Sequence, residues 1–148
     1  MATLFDSNIW VALAFSTHPH HGVAQDAFSI ATLETPVAFC RATQQSFLRL
    51  ATTPALVKTY TAGKFTNRDA LTLIASYEKH PKIRFLSESR DLQALWHRLA
   101  DLPTASPKVW MDAYLAAFAI SHEIEFVTFD RDFRNFEKHG LDLRVLLG

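Results

Sequence analysis

The sequence predicts an α/β fold, a parallel β-sheet sandwiched between helices. Short β-rich apolar runs recur along the chain at Ala2-Thr3-Leu4-Phe5, Pro36-Val37-Ala38-Phe39, Ile83-Arg84-Phe85-Leu86 and Phe126-Val127-Thr128-Phe129. Stretches with apolar residues at helical spacing separate them. Two of the runs are followed directly by a carboxylate, Asp6 and Asp130, as buried strands carrying an acid at the carboxyl end would be. Strands alternating with helices pair in parallel through right-handed crossovers, which places helices on both faces of the sheet.

In chain order, residues 2–6 form the first strand, and Asp6 or Ser7 caps a helix running to about residue 15. Ser16-Thr17-His18-Pro19-His20-His21-Gly22 is a loop, and a helix over about 22–32 follows. The second strand is Pro36–Phe39, and the next helix runs from Thr43 to Ala51, stopping before Pro54. Between residues 67 and 78, Ala70, Leu73, Ile74 and Tyr77 keep the i, i+3, i+4, i+7 spacing of an amphipathic helix. Ile83–Leu86 is the third strand, and Leu92, Leu95, Trp96 and Leu99 repeat the helical pattern. A helix from Val109 to Ile120 holds Asp112 as its only charge. The strand ending at Asp130, a short helix from Asp132 to about His139 and a last strand in Asp142–Leu146 complete the chain. With no repeat, low-complexity tract or linker, residues 1–148 read as a single domain.

Composition narrows the function classes. Fifteen basic and fifteen acidic side chains cancel, so affinity cannot come from coating nucleic acid, and any such contact must be local. A single Cys40 excludes an internal disulfide and a cysteine-based zinc site, and suits a reducing cytosol. Asp6 and Asn8 interrupt the apolar N-terminus, which makes a poor signal peptide, and no run of about 18 apolar residues exists to span a membrane. A cytoplasmic protein without a membrane role is expected. The only glycines are Gly22, Gly63, Gly140 and Gly148, too few and too scattered for a dinucleotide fingerprint or a P-loop.

The chemistry lies in four acids, Asp6, Asp112, Asp130 and Asp132. A lone carboxylate on an apolar helix, as Asp112 is, is costly unless a cation or hydrogen-bond donors compensate it. In parallel α/β sheets the ligand site lies beyond the carboxyl ends of the strands, where strand order reverses. If the first strand and the strand ending at Asp130 are neighbours there, Asp6 and Asp130 stand side by side, and the Asp112 helix leans over the same edge. Each acid alone has an ordinary role: Asp6 as a helix cap, Asp130 and Asp132 as turn or cap residues, Asp112 in a buried ion pair. Their convergence on one edge points instead to a metal site. Arg41, Arg49, Lys108 and Arg131 are candidate phosphate contacts, although a solvated surface position suits each of them better. His18, His20 and His21 around Pro19 make a poor metal site, and the helical spacing of Trp10, Trp96 and Trp110 favours core or interface packing over base stacking.

The stretches Leu4-Phe5-Asp6-Ser7-Asn8-Ile9-Trp10, Trp110–Ala119 and Val127-Thr128-Phe129-Asp130-Arg131-Asp132-Phe133 resemble the three acidic motifs of PIN domains. Over essentially the whole chain, their order and spacing resemble the VapC ribonuclease toxins of type II VapBC toxin–antitoxin pairs. His18–His21 and Phe39–Leu50 resemble one subgroup of that family. The resemblance implies a Rossmann-like PIN-domain sheet and an endoribonuclease that hydrolyses RNA phosphodiesters with Mg²⁺, for which Mn²⁺ can substitute. It also implies a VapB-type antitoxin as partner and Asp6, Asp112 and Asp130 as catalytic metal ligands. Asp132 would stand outside this set or at a second metal. Mg²⁺ prefers oxygen ligands in octahedral geometry and keeps several waters, which a set of carboxylates satisfies. A homodimer is expected as well, because apolar helices such as 9–15 and 43–51 would leave surplus surface to bury.

One departure stands out. Most PIN domains carry a Glu early in the helix after the second strand, whereas this chain has Thr43-Gln44-Gln45, and no acid lies between Glu34 and Asp69. A glutamine oxygen can touch a metal or its waters but brings no charge. That keeps open a degenerate PIN domain acting as a non-catalytic binding module. An aspartate-nucleophile phosphatase is the other alternative; such enzymes resemble a first strand ending in Asp but place a second Asp two positions on, where this chain has Asn8.

Overall fold

The computed structural model describes residues 1–147. Five short strands form one sheet: β1 (Thr3–Phe5), β2 (Val37–Phe39), β3 (Ile83–Phe85), β4 (Glu125–Thr128) and β5 (Leu143–Val145). Their order is β3-β2-β1-β4-β5, and every pairing is parallel. Among the described residues there are seven α-helices: α1 (Ser7–Ala14), α2 (His21–Ser29), α3 (Arg41–Ala51), α4 (Pro54–Tyr60), α5 (Asn67–Lys79), α6 (Leu92–Ala100) and α7 (Val109–His122). A 3₁₀ helix, Arg131–His139, leads from β4 to β5.

The central strands are buried on both faces, as parallel sheets require. Successive side chains point to opposite sides. Leu4 and Phe126 therefore pack with α6, α7 and the 3₁₀ helix, while Phe5 and Val127 pack with α1, α2, α3 and α5. On the second face Trp10 lies flat against Phe39, with ring centroids 3.7 Å apart and planes 10° from parallel. Trp110 stays outside the core at 57 % exposure, although its carbonyl accepts the Trp96 indole N–H at 2.8 Å.

Two expectations need correction. The sequence predicts no helix between Pro54 and residue 67, yet Pro54 opens α4 from its first turn, where a fixed φ and a missing N–H cost nothing. Proline here stops one helix and starts the next. The surplus apolar surface expected on helix 9–15 is also absent, because Ile9, Trp10, Val11 and Ala12 are all buried in the core. In α3, Phe47 and Ala51 are buried too. The large apolar side chains that do remain exposed include Leu71 on α5 and Trp110 and Met111 at the start of α7.

Topology sets the position of the site. From β1 the chain adds β2 and β3 on one side and later β4 and β5 on the other, so strand order reverses between β1 and β4. The β1–β4 register pairs Phe5 with Val127, which brings Asp6 and the Thr128–Asp130 segment to the same carboxyl edge.

Candidate active site

Asp6 directly follows β1 and caps α1. Its Oδ1 accepts the Ser7 N–H at 2.7 Å and its Oδ2 accepts the Thr128 hydroxyl at 2.7 Å. The side chain is almost wholly buried, and no salt bridge among the described residues includes it. Burial pushes its carboxyl up to about 6; the bonds from Thr128 and Ser7 oppose this, and the negative charges of Asp112 and Asp130 add to it. Both of those acids are thus within electrostatic range of Asp6.

Thr128, the last residue of β4, ties the edge together. Besides donating to Asp6, its fully buried hydroxyl accepts the Asp130 N–H at 3.0 Å and the Asn8 amide at 3.3 Å. Asn8 in turn accepts the Phe129 N–H at 3.4 Å. Asp130 caps the 3₁₀ helix by accepting the Asp132 N–H at 2.9 Å. The dull capping roles of Asp6 and Asp130 are therefore real, but each occupies only one of the two carboxylate oxygens with a helix terminus.

Asp112 enters from the first turn of α7, one turn after Lys108. The Lys108 ammonium lies 3.7 Å from Asp112 Oδ2, 3.4 Å from Asp130 Oδ2 and 2.8 Å from Asp132 Oδ2. These contacts hold the ammonium well above the usual lysine range, with the hydrogen bond to Asp132 the largest cause. Asp112 nevertheless has a raised pKa. Its own burial outweighs the pull of Lys108, and the charges of Asp130 and Asp132 reinforce the rise. The two partners differ because Lys108 is 63 % exposed at the side chain and Asp112 only 17 %.

The structure thus brings Asp112, Asp130 and Asp132 around one cation, with Asp6 beside them facing Thr128. Among the described residues, no three His, Cys, Asp or Glu side chains already converge as a metal-holding group. The like charges are compensated locally, three of the carboxylates by Lys108 and Asp6 by the donors Thr128 and Ser7. The donor set nevertheless fits a hard cation. It consists of carboxylate oxygens on short, anchored side chains, and an ammonium already acts as the positive charge among three of them. A cleft of ≈ 370 Å³ lined in part by Lys108, Asp112, Asp132 and His139 opens alongside.

The two glutamines differ in their surroundings. Gln44 is buried on α3, and its side-chain oxygen accepts from the Arg41 guanidinium, whereas Gln45 is exposed. The histidines do not converge: His21 Nδ1 bonds the Ala12 carbonyl at 2.8 Å, His18 Nδ1 accepts the His20 N–H at 3.0 Å, and His20 packs on Phe129. Arg49 and Arg131 are exposed. Asn8 was not a candidate in the sequence. Its signal was its place two residues after Asp6, inside the stretch Leu4–Trp10 that resembles the first acidic motif.

Comparison with known proteins agrees with this fold. The PIN domain family matches residues 3–139. The chain is 40 % identical to ribonuclease VapC41 of Mycobacterium tuberculosis over 144 residues, covering 97 % of each chain. Among solved structures it resembles VapBC-1 from nontypeable Haemophilus influenzae (TM-score 0.69, 13 % identity, 98 % of each chain). It also resembles Mycobacterium tuberculosis VapC20 (TM-score 0.62, 19 % identity, 94 % of this chain and 95 % of that one). The family match and the close relative, each spanning nearly the full length, place this chain in the PIN domain family, among the VapC proteins.

Proposed function

We propose that this chain is a metal-dependent endoribonuclease, the toxin of a VapBC-type toxin–antitoxin pair. The observation that carries the reading is the gathering of Asp112, Asp130 and Asp132 around one cation, beside a buried Asp6, at the reversal of strand order. The 40 % identity to a named ribonuclease supports the substrate class.

In this reading Asp6, Asp112 and Asp130 hold Mg²⁺ or Mn²⁺, and Asp132 supports them from the side. A bound divalent ion supplies an acidified water and positive charge for the phosphorane-like transition state. Thr128 and Ser7 fix the orientation of Asp6 by donating to its two oxygens. Asn8 and the Asp130 N–H hold Thr128 in turn. Lys108 keeps its proton and, once released from the carboxylates, can face a phosphate oxygen of the RNA. Local charge of this kind suits a chain with no net charge.

A VapB-type antitoxin is the proposed partner, in keeping with the fold shared with VapBC-1. Trp110 and Met111, exposed beside Asp112, offer apolar surface next to the acids for such a partner. A homodimer is proposed as well. The phosphatase alternative loses ground, because Asn8 stands where those enzymes carry a second Asp and is engaged with Thr128 and the Phe129 N–H. The binding-module alternative is decided by metal.

The test is cleavage of an RNA mixture by the purified chain. Cutting is expected only with Mg²⁺ or Mn²⁺, to stop with EDTA, and to leave 5′-phosphate and 3′-hydroxyl ends. Asp6→Asn, Asp112→Asn and Asp130→Asn should each abolish it together with growth arrest, and Asp132→Asn should cost less. Cyclic 2′,3′-phosphate ends, or full toxicity in two of the three variants, would overturn the assignment. Co-expression of the neighbouring small gene should restore growth.

A further inference from the structure

A second feature sits on the same edge of the sheet, two strands from Asp6. β3 is the edge strand, and between it, α3 and α5 lies a cavity of ≈ 400 Å³. Its apolar lining comes from Phe39, Ile74 and Ile83. At the carboxyl end of β3, Phe85 remains 39 % exposed, unlike the buried Phe5 and Phe39 that end β1 and β2. The Arg41 guanidinium lies over the Phe85 ring, 4.6 Å from its centroid, and is steadied from behind by the Gln44 side-chain oxygen.

From this geometry we infer that the Arg41–Phe85 cavity binds one nucleobase of a single-stranded RNA whose backbone continues to the carboxylates. The inference rests on the nuclease reading given above. Unstacked RNA bases are recognised on aromatic rings and on guanidinium planes, and Phe85 and Arg41 present both, already placed. Neighbouring strands are about 4.8 Å apart, so β3 lies about 10 Å from β1, within reach of one short strand segment. The rim charge is mixed. Arg41 has no salt bridge among the described residues and keeps its charge for a phosphate, Arg84 donates back to the Pro81 and Ile83 carbonyls, and Glu78 also lines the cavity. Such a rim does not attract a polyanion in general. It suits a base entering an apolar slot with a phosphate against Arg41.

The Gln44 amide fits the same picture. A carboxylate there would draw Arg41 into a tight ion pair, whereas a neutral amide positions the guanidinium and leaves its charge available.

The test is fluorescence anisotropy with a short single-stranded RNA and the full chain carrying Asp112→Asn to prevent cutting. Phe85→Leu should weaken binding about 10-fold, and Phe85→Trp should restore it, since stacking needs an aromatic face. Arg41→Lys should weaken binding about 5-fold without changing the salt dependence, because the charge remains and only the plane is lost. Affinity for duplex RNA should not move, as its bases are not available to stack. Unchanged single-strand affinity in both Phe85→Leu and Arg41→Lys would overturn the inference. So would a change in sedimentation mass without a change in RNA affinity, which would make the cavity an interface between copies. Failure of the nuclease reading is separate: the unsubstituted chain would then neither bind Mn²⁺ nor cut RNA.

Discussion

Thr128 donates its hydroxyl to Asp6 at 2.7 Å across the seam between β4 and β1, two residues 122 positions apart in the chain. One buried oxygen atom there serves three partners, since it also accepts from Asp130 and Asn8. Thr128→Val keeps the shape but removes the hydroxyl. It should destabilise the fold by about 2–3 kcal/mol, because Asp6, Asp130 N–H and the Asn8 amide each lose a buried partner. Asp6 should titrate still higher, for the bond that favours its ionised form is gone. Denaturant unfolding and NMR titration of the carboxyl check the two parts. An unchanged midpoint would show that water replaces the hydroxyl.

Asp6 predicts a pH signature. Its carboxyl rises from 3.8 in the unfolded chain to about 6 in the fold, with burial as the main cause. The folded state therefore holds this proton more tightly, and the stability it contributes is complete below about pH 3.8 and is lost as pH rises through about 6. At neutral pH the buried charge costs on the order of 3 kcal/mol. Asp6→Asn removes that cost, so the metal-free variant should exceed the parent in stability above about pH 6 and match it near pH 3.5. Adding Mg²⁺ should stabilise the parent and leave the variant unmoved. Equal stability of both proteins at neutral pH in EDTA would refute the argument.

Much of this edge was legible in the sequence. Asp6 and Asp130 directly follow β-rich runs, and alternation of strands with helices requires their parallel pairing, so only strand adjacency had to be supplied. Asp112 was visible as the one charge in an apolar helix. Lys108 was less so, because a lysine at i−4 from an acid is usually a surface pair of small value. What makes it unusual, the contacts to Asp130 and Asp132, comes from residues more than 20 positions away. Helix α4 was hidden because proline ends helices as readily as it begins them. The burial of α1 was hidden because an apolar helix facing a sheet and one facing a partner have the same composition.

Lys108 is predicted to compete with the metal. Lys108→Met removes the ammonium while keeping the stem, and Asp112, Asp130 and Asp132 lose their shared counter-charge. Exposed ion pairs are worth about 0–1 kcal/mol each, so loss of the three should lower metal-free stability by no more than about 3 kcal/mol. Mn²⁺ affinity should rise a few-fold, up to about 10-fold, because each 1.4 kcal/mol is tenfold in binding. Isothermal titration reads this directly. A weaker Mn²⁺ affinity in Lys108→Met would mean that the lysine organises the acids for the metal and does not compete with it.

The glutamines give the last prediction. Gln44 is buried against Arg41 and Gln45 faces solvent, so only Gln44 can alter the site. Gln45→Glu should change neither metal affinity nor fold stability beyond about 0.5 kcal/mol. Gln44→Glu places a buried charge on α3, but Arg41 stands ready to neutralise it. The single substitution should therefore leave Mn²⁺ affinity within about 2-fold of the parent, with the new carboxylate spent on a charge-assisted pair to the guanidinium. Removing that competitor frees the acid. In Gln44→Glu with Arg41→Ala, Mn²⁺ affinity should rise about 10-fold, while Arg41→Ala alone should leave it unchanged. The gain in the double variant over the sum of the singles is the coupling through Arg41. If Gln44→Glu alone tightens Mn²⁺ about 10-fold, Arg41 does not hold residue 44 away from the metal; if the double variant shows no gain, residue 44 lies beyond the ligand sphere altogether.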